Sequence, residues 1–267
     1  MLRYDELPGS LVLRDATPTF VFFVGFGHSG HSLIGAILDG HPDACIANEA
    51  NYLASLSTKT APCKASAISE LTKSAAETLE TRSWLNTGYS YKMEQSAQGV
   101  CRRLCAVGDK KGGQTAELFA QDPSQLPLAK SIFGADLRLI SVIKNPYDII
   151  AASAFRRSED LQQKHVDLFF RKAAIVRGLH ESSHESLFTL VRYEQFVANL
   201  DDQLSRLLGF VGLTQDPNLM AAAKRLVRAD IKPRRDTVSW PPALKSYVTD
   251  LLATTRCTSL FEGYEAP

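Results

Sequence analysis

The stretch VFFVGFGHSGHSLIGAILDG, residues 21–40, decides how the chain is read. An apolar, β-branched and aromatic run passes into a glycine-rich turn and then into an apolar helix. Gly25, Gly30 and Ser32 stand in the frame G-x-x-x-x-G-x-S, the frame of a phosphate-binding loop. A tight turn from a strand into a helix leaves the first backbone N–H groups unpaired and aimed at one spot. With the positive end of the helix dipole, they form an anion cradle. Gly27 and Gly30 let the backbone approach closely, and Ser29 or Ser32 can add a hydroxyl donor. A nucleotide hydrolase or kinase would place a lysine just before Ser32 to grip a triphosphate. This chain has His31, which is shorter and mostly neutral at pH 7. A glycine-rich connection that holds no ligand is the alternative reading of the same residues.

The surroundings fit a phosphate-binding turn. TFVFFVG (19–25), LRLISVIK (137–144) and LFTLVRY (187–193) read as buried strands of a parallel sheet, with DACIA (43–47) as a shorter one. Helical stretches are expected at 30–40, 65–81, 91–105, 123–133, 146–157 and 162–182. The chain turns helical again after Tyr193, and a last helix closes it near 241–256. Strand–helix alternation predicts an α/β fold, a three-layer arrangement with a central parallel sheet flanked by helices and a helical C-terminal part. Segments 54–66 and 106–115 read as loops, and neither looks like a domain linker. One domain over residues 1–267 is therefore expected, with its core in 19–240.

Composition narrows the function classes. The chain has 267 residues, 45% of them hydrophobic and 22% charged, which is ordinary for a globular protein. Thirty Lys and Arg against 29 Asp and Glu argue against wholesale nucleic-acid binding and leave room only for a local basic pocket. The N-terminal residues carry acids and a proline and do not read as a signal peptide. No apolar run is long enough to cross a bilayer, so no membrane partner is expected. Five scattered cysteines suit a reduced, cytoplasmic setting. Cys101 and Cys105, four apart on an expected helix, read as plain thiols rather than a zinc site.

Five motifs in order, followed by a closing loop, carry a family resemblance. The register His28-Ser29-Gly30-His31-Ser32 resembles the shortened loop of sulfotransferases that use 3′-phosphoadenosine 5′-phosphosulfate, where a basic residue is followed by S-G-[ST]-[ST]. LDGHPDACIANEA (38–50) resembles a stretch of the tyrosylprotein and carbohydrate sulfotransferases. AVGDKKGG (106–113) resembles their Asp/Glu/Asn-Lys loop, and LISVIKNPYDIIAAS (139–153) their "RxPxxxxxS" segment. LVRYEQFVANLDDQLSRLLGFVGL (190–213) resembles their "YExL…LxxLLxFLGL" stretch, and IKPRRDTVSW (231–240) their closing loop. On these grounds the chain resembles a P-loop sulfotransferase, nearest the tyrosylprotein-like branch.

The resemblance implies a fold, a reaction and a set of roles. Gly27, His28, Ser29, Gly30, His31 and Ser32 would hold the single 5′-phosphate beside the sulfuryl group, which explains the absence of a triphosphate-gripping lysine. Glu49 would be the general base, with His28 and Lys110 as charge stabilisers. Lys144, Ser153 and Arg157 would bind the 3′-phosphate, with Tyr193 near the base or phosphate and Lys232 and Arg235 closing over the donor. The acceptor would be a hydroxyl or amine of a small molecule or peptide, the product 3′,5′-adenosine bisphosphate (PAP), and no metal is expected. A protonated His28 with a raised pKa is expected beside phosphates.

Some positions depart from the family pattern. His28 stands where arginine or lysine is usual, Lys144 where arginine is usual, and Gly112-Gly113 where a proline usually follows. Ala152 occupies the expected serine position, and Ser153 with Arg157, four apart, supplies the alternative register. His41 is expected to cap the loop helix, with a second reading as the base. Three other readings stay open at this point. One is a P-loop nucleotide kinase, another a catalytically inactive nucleotide-binding relic of the fold, and the third a metal site of His28, His31 and Glu49.

Overall fold

The computed structural model describes residues 1–7, 17–59, 61–79, 90–227 and 233–267. In chain order its strands are β1 (Leu2–Arg3), β2 (Thr19–Phe23), β3 (Ala44–Ala47), β4 (Val100–Cys101), β5 (Ala106–Asp109), β6 (Leu137–Ile143) and β7 (Phe188–Arg192). β1 and β4 pair antiparallel as a short ribbon; the other five form one sheet in the order β3-β5-β2-β6-β7, parallel throughout. From β2 the chain goes to one side for β3 and β5 and to the other for β6 and β7. The strand order therefore reverses at β2, and its carboxyl end opens on the crevice where ligands bind in open α/β sheets.

The helices are α1 (His31–Asp39), α2 (Tyr52–Ser55), α3 (Lys64–Leu79), α4 (Gly112–Gln121), α5 (Gln125–Phe133), α6 (Pro146–Arg156), α7 (Gln163–Ser182), α8 (Tyr193–Ala198), α9 (Leu200–Phe210), α10 (Pro217–Leu226) and α11 (Pro242–Thr254). Alternate side chains of a strand face opposite ways, and β2 uses this to seed both layers. Phe20 and Phe22 pack with Ile68 and Leu71 of α3, Phe133 of α5 and Phe169 of α7. Val21 and Phe23 pack with Ile34 of α1, Leu204 of α9 and Leu219 of α10. Phe20 stacks on Phe133 with ring centroids 4.5 Å apart. This is the expected central parallel sheet flanked by helices.

Three expectations are corrected. Residues 91–105 form no helix; turns with positive φ at Gln95 and Gly99 lead into β4, so Cys101 is a buried strand residue. Residues 106–115 are not a loop but β5 followed by the start of α4. Gly108 made that stretch look like a turn, yet its reason is packing: a β-carbon there would lie 1.9 Å from the carbonyl oxygen of Val21. Within 54–66, α2 and a 3₁₀ turn at Leu56–Thr58 precede α3. No helix among the described residues is long and apolar enough to cross a membrane.

Candidate active site

The turn after β2 is anchored from both sides. Val24 N–H donates to Ile140 O and Gly25 N–H to Gly112 O, both at 2.9 Å. Its backbone is left-handed at His28 (φ 63°) and Gly30 (φ 95°), and Gly30 caps α1 without any side-chain help. Glycine is required at 30, because a β-carbon would lie 2.2 Å from Cδ2 of Tyr193. Ser29 is buried and its hydroxyl donates inward to Phe26 O at 3.0 Å, so it braces the turn. His31 is neutral: burial, then the nearby Lys110, holds its pKa down to about 3.

Beside the turn, Lys110 reaches from the end of β5. Its ammonium donates to Ser32 Oγ at 3.0 Å and to Glu49 Oε1 at 2.9 Å, while Lys111 Nζ meets Glu49 Oε2 at 2.8 Å. The Lys110 stem crosses α1 at Gly35, where a β-carbon would come within 2.7 Å of Lys110 Cγ. Burial lowers the Lys110 pKa and the Glu49 carboxylate opposes that. Burial works to raise the Glu49 pKa, but Lys110 and Lys111 outweigh it and bring it to about 2. Glu49 itself sits at φ 67° on a segment hung from Asp109, whose buried carboxylate accepts the N–H groups of Ala50 (2.9 Å) and Tyr52 (3.0 Å).

On the other flank, at the carboxyl end of β6, Lys144 lies 5.3 Å from the centre of the Tyr193 ring and 3.6 Å from Asp148 Oδ2. Asp148 is buried and also receives Arg235 twice, from its backbone N–H at 2.8 Å and from its guanidinium at 2.9 Å. Asn145 caps α6 through Tyr147 N–H and donates its own N–H to Glu194 Oε1. Ser153 is half-buried on α6, and Arg157 is exposed at its end.

His28 stands among cations. Its ring reaches solvent, yet protein crowds it from one side and Arg156, Lys172 and Arg157 surround it. The crowding first, and then the three cations, hold its pKa down to about 4. His41 closes the end of α1 through its backbone N–H, which donates to Leu38 O at 3.1 Å, and its ring does not stand free as a base. It is buried, with Nδ1 accepting Asp43 N–H at 3.0 Å and Nε2 bound to Thr214 O at 2.9 Å. Lys232 lies outside the described residues.

A model of the sulfotransferase family matches residues 18–217. The chain belongs to the sulfotransferase family. No curated protein matches it. Solved structures share its fold at low identity. The sulfotransferase domain of the Synechococcus PCC 7002 olefin synthase is 15% identical, with 94% of this chain and 97% of that one covered and a TM-score of 0.52. The sulfotransferase domain from the curacin biosynthetic pathway is 16% identical over 94% and 99%, with a TM-score of 0.53. Mouse sulfotransferase SULT7A1, solved in complex with PAP, is 14% identical over 96% and 94%, with a TM-score of 0.50.

This sulfotransferase thus gathers Glu49, Lys110 and Ser32 into one hydrogen-bonded chain and sets Tyr193 and Lys144 on the opposite flank of the turn. Sequence reasoning missed Lys111, Asp109, Asn145, Asp148, Glu194 and Lys172. Asn145-Pro146 was a readable helix start. Asp148 stands four residues after Lys144, a readable helical pair; the others carried no local signal, since each acts on a partner distant in sequence.

Proposed function

We propose that this sulfotransferase moves a sulfuryl group from 3′-phosphoadenosine 5′-phosphosulfate to a hydroxyl or amine of a small molecule or peptide. The observation that carries the reading is the contact chain Glu49–Lys110–Ser32, which joins a carboxylate and a cation to the phosphate-binding turn. Backbone amides from Gly27 to Ser32 hold the 5′-phosphate, with Ser32 adding its hydroxyl. Lys144, Ser153 and Arg157 take the 3′-phosphate, Tyr193 lies against the nucleotide, and Arg235 closes over it. His31, being neutral, adds shape rather than charge. The order of motifs and the position of Glu49 after β3 favour the tyrosylprotein-like branch. One domain spans the chain, and five free thiols suit a cytoplasmic setting.

Sulfuryl transfer, like phosphoryl transfer, is positioning plus charge stabilisation. The acceptor oxygen or nitrogen attacks sulfur in line as the bond from sulfur to the bridging phosphate oxygen breaks. The acceptor proton passes to Glu49, and the electron pair leaves on the bridging oxygen as PAP. A carboxylate pinned at a pKa of about 2 by two lysines is a weak base. Charge growing on the bridging oxygen draws Lys110 across, and Glu49, losing one cation, becomes basic enough to take the proton.

Calorimetry with PAP and with ATP tests the donor. Selective binding of PAP is expected; ATP preference would make the protein a kinase instead. In Glu49→Gln, PAP binding should persist while turnover of labelled donor falls by about 10²–10⁴. PAP binding with wild-type turnover in that variant would remove Glu49 from the base role.

A further inference from the structure

α7 runs beside the turn that follows β2 and presents one face to it. Phe169 stacks on Phe26 of the turn with ring centroids 4.8 Å apart. Val176 lies under the start of the turn, where a β-carbon on Gly25 would come within 3.5 Å of its Cγ2. Lys172 falls between them at helical spacing, on the same face. A β-carbon on Gly113 would lie 3.3 Å from Gly27 N and 3.4 Å from Lys172 Nζ, so one methyl group there would touch both the amide and the ammonium. A lysine thus interrupts an apolar stripe whose other two members are buried against the turn.

Tucking an ammonium into such a place costs hydration. Glu117 offsets the cost with a carboxylate oxygen 2.8 Å from Lys172 Nζ, and the lysine side chain is only 13% exposed. The pair repeats the arrangement of Lys110 with Glu49, a sheltered lysine held by a half-exposed carboxylate. What the turn lacks is permanent charge of its own. His28 and His31 titrate at about 4 and about 3, so at neutral pH neither ring is a cation before a ligand arrives. Lys110 serves the Ser32 end. At the Gly27–His28 end, Arg156 and Arg157 stand exposed at the close of α6, and Lys172 is the cation packed against the backbone.

We infer that Lys172 binds the donor: its ammonium takes an oxygen of the 5′-phosphate at the Gly27–His28 end of the turn, and Glu117 holds it ready until the phosphate comes. The inference rests on the donor reading above and deepens it. Its test is calorimetry at about pH 8, where an ordinary histidine is neutral, with PAP, adenosine 5′-phosphate and adenosine 3′-phosphate.

Lys172→Met keeps the apolar stem and should weaken PAP and adenosine 5′-phosphate about tenfold or more, as expected for a lost charge-assisted pair, while adenosine 3′-phosphate binds as before. Adding His28→Arg, which sets a permanent cation at the same end of the turn, should restore much of the loss. Wild-type PAP affinity in Lys172→Met, an equal loss for adenosine 3′-phosphate, or no recovery in the double variant would overturn the inference. Should Lys172→Met fail to fold, Glu117→Gln replaces it. With the carboxylate gone the ammonium is released to the phosphate and PAP should bind severalfold more tightly; unchanged or weaker binding would count against the role. A wild-type protein that does not bind PAP sinks the donor reading itself, whereas PAP binding that ignores Lys172 sinks only this residue.

Discussion

In the proposed reading, a histidine at position 28, where the family usually carries a permanent cation, makes donor binding a proton-linked event. His28 has a pKa of about 4 in this structure, lowered by crowding and by Arg156, Lys172 and Arg157. A phosphate arriving beside it favours the imidazolium, so its pKa rises on binding and a proton is taken up between the two values. The sign follows: PAP affinity should weaken as pH rises through the bound-state pKa and level off above it. Calorimetry in buffers of different ionisation enthalpy should show more proton uptake for wild type than for His28→Gln. Equal uptake in the two would remove the linkage, because the nucleotide's own phosphate titration is common to both.

Glu49 and Lys110 teach a different lesson about single residues. Neither was identifiable by spacing or charge; only resemblance to a family singled them out, and the structure then joined them at 2.9 Å. Ser29, read as an outward donor, faces inward for a reason the sequence does not carry, the unpaired carbonyl of Phe26 beneath it.

Among the elements, the mainly apolar, β-branched and aromatic strands were the most legible. β2 and β6 are buried on both faces and β7 is half-buried at the sheet edge, and the ends of all three fell within a residue or two of the expectation. β5 was illegible because Ala-Val-Gly-Asp mixes two turn formers into four residues. Tertiary demands selected both: Gly108 for the approach of Val21, Asp109 for the backbone of Ala50 and Tyr52. The same logic governs α1 at Gly35, over which the Lys110 stem runs. Gly35→Ala suits a helix and should preserve the fold, since alanine gains about 1 kcal/mol in helix propensity. Its methyl group should push the ammonium off Ser32 and Glu49. The expected result is an unfolding temperature within a few degrees of wild type with kcat down at least tenfold; unchanged kcat would show that Lys110 adapts.

At the scale of the whole molecule, the C-terminal segment ties the site together. Phe261 packs edge-on to Phe26 of the turn and against Phe169 of α7. Tyr264 O–H donates to Glu194 Oε2 at 2.7 Å, Glu194 Oε1 accepts Asn145 N–H at 3.1 Å, and Asn145 Nδ2 donates to Glu265 O at 2.9 Å. The ends of β6 and β7 and the start of α8, which carries Tyr193, are thus fastened by residues far away in sequence. Tyr264→Phe should cost about 1 kcal/mol of stability, a fall of about 2–4 °C in Tm for a protein of this size. PAP affinity should drop severalfold, while the acceptor KM holds. Calorimetric melting and PAP titration check it; PAP affinity equal to wild type would make the fastening purely structural.

One contact also sets the order of events in the proposed reaction. While Glu49 neutralises Lys110, the acceptor has no group able to accept its proton, and a water molecule wandering in is no better served. In that proposal only the charge that grows on the bridging oxygen releases the carboxylate, so the base comes into play just as the bond to sulfur is breaking, and carrier bound without an acceptor meets water beside a carboxylate still held by its lysines.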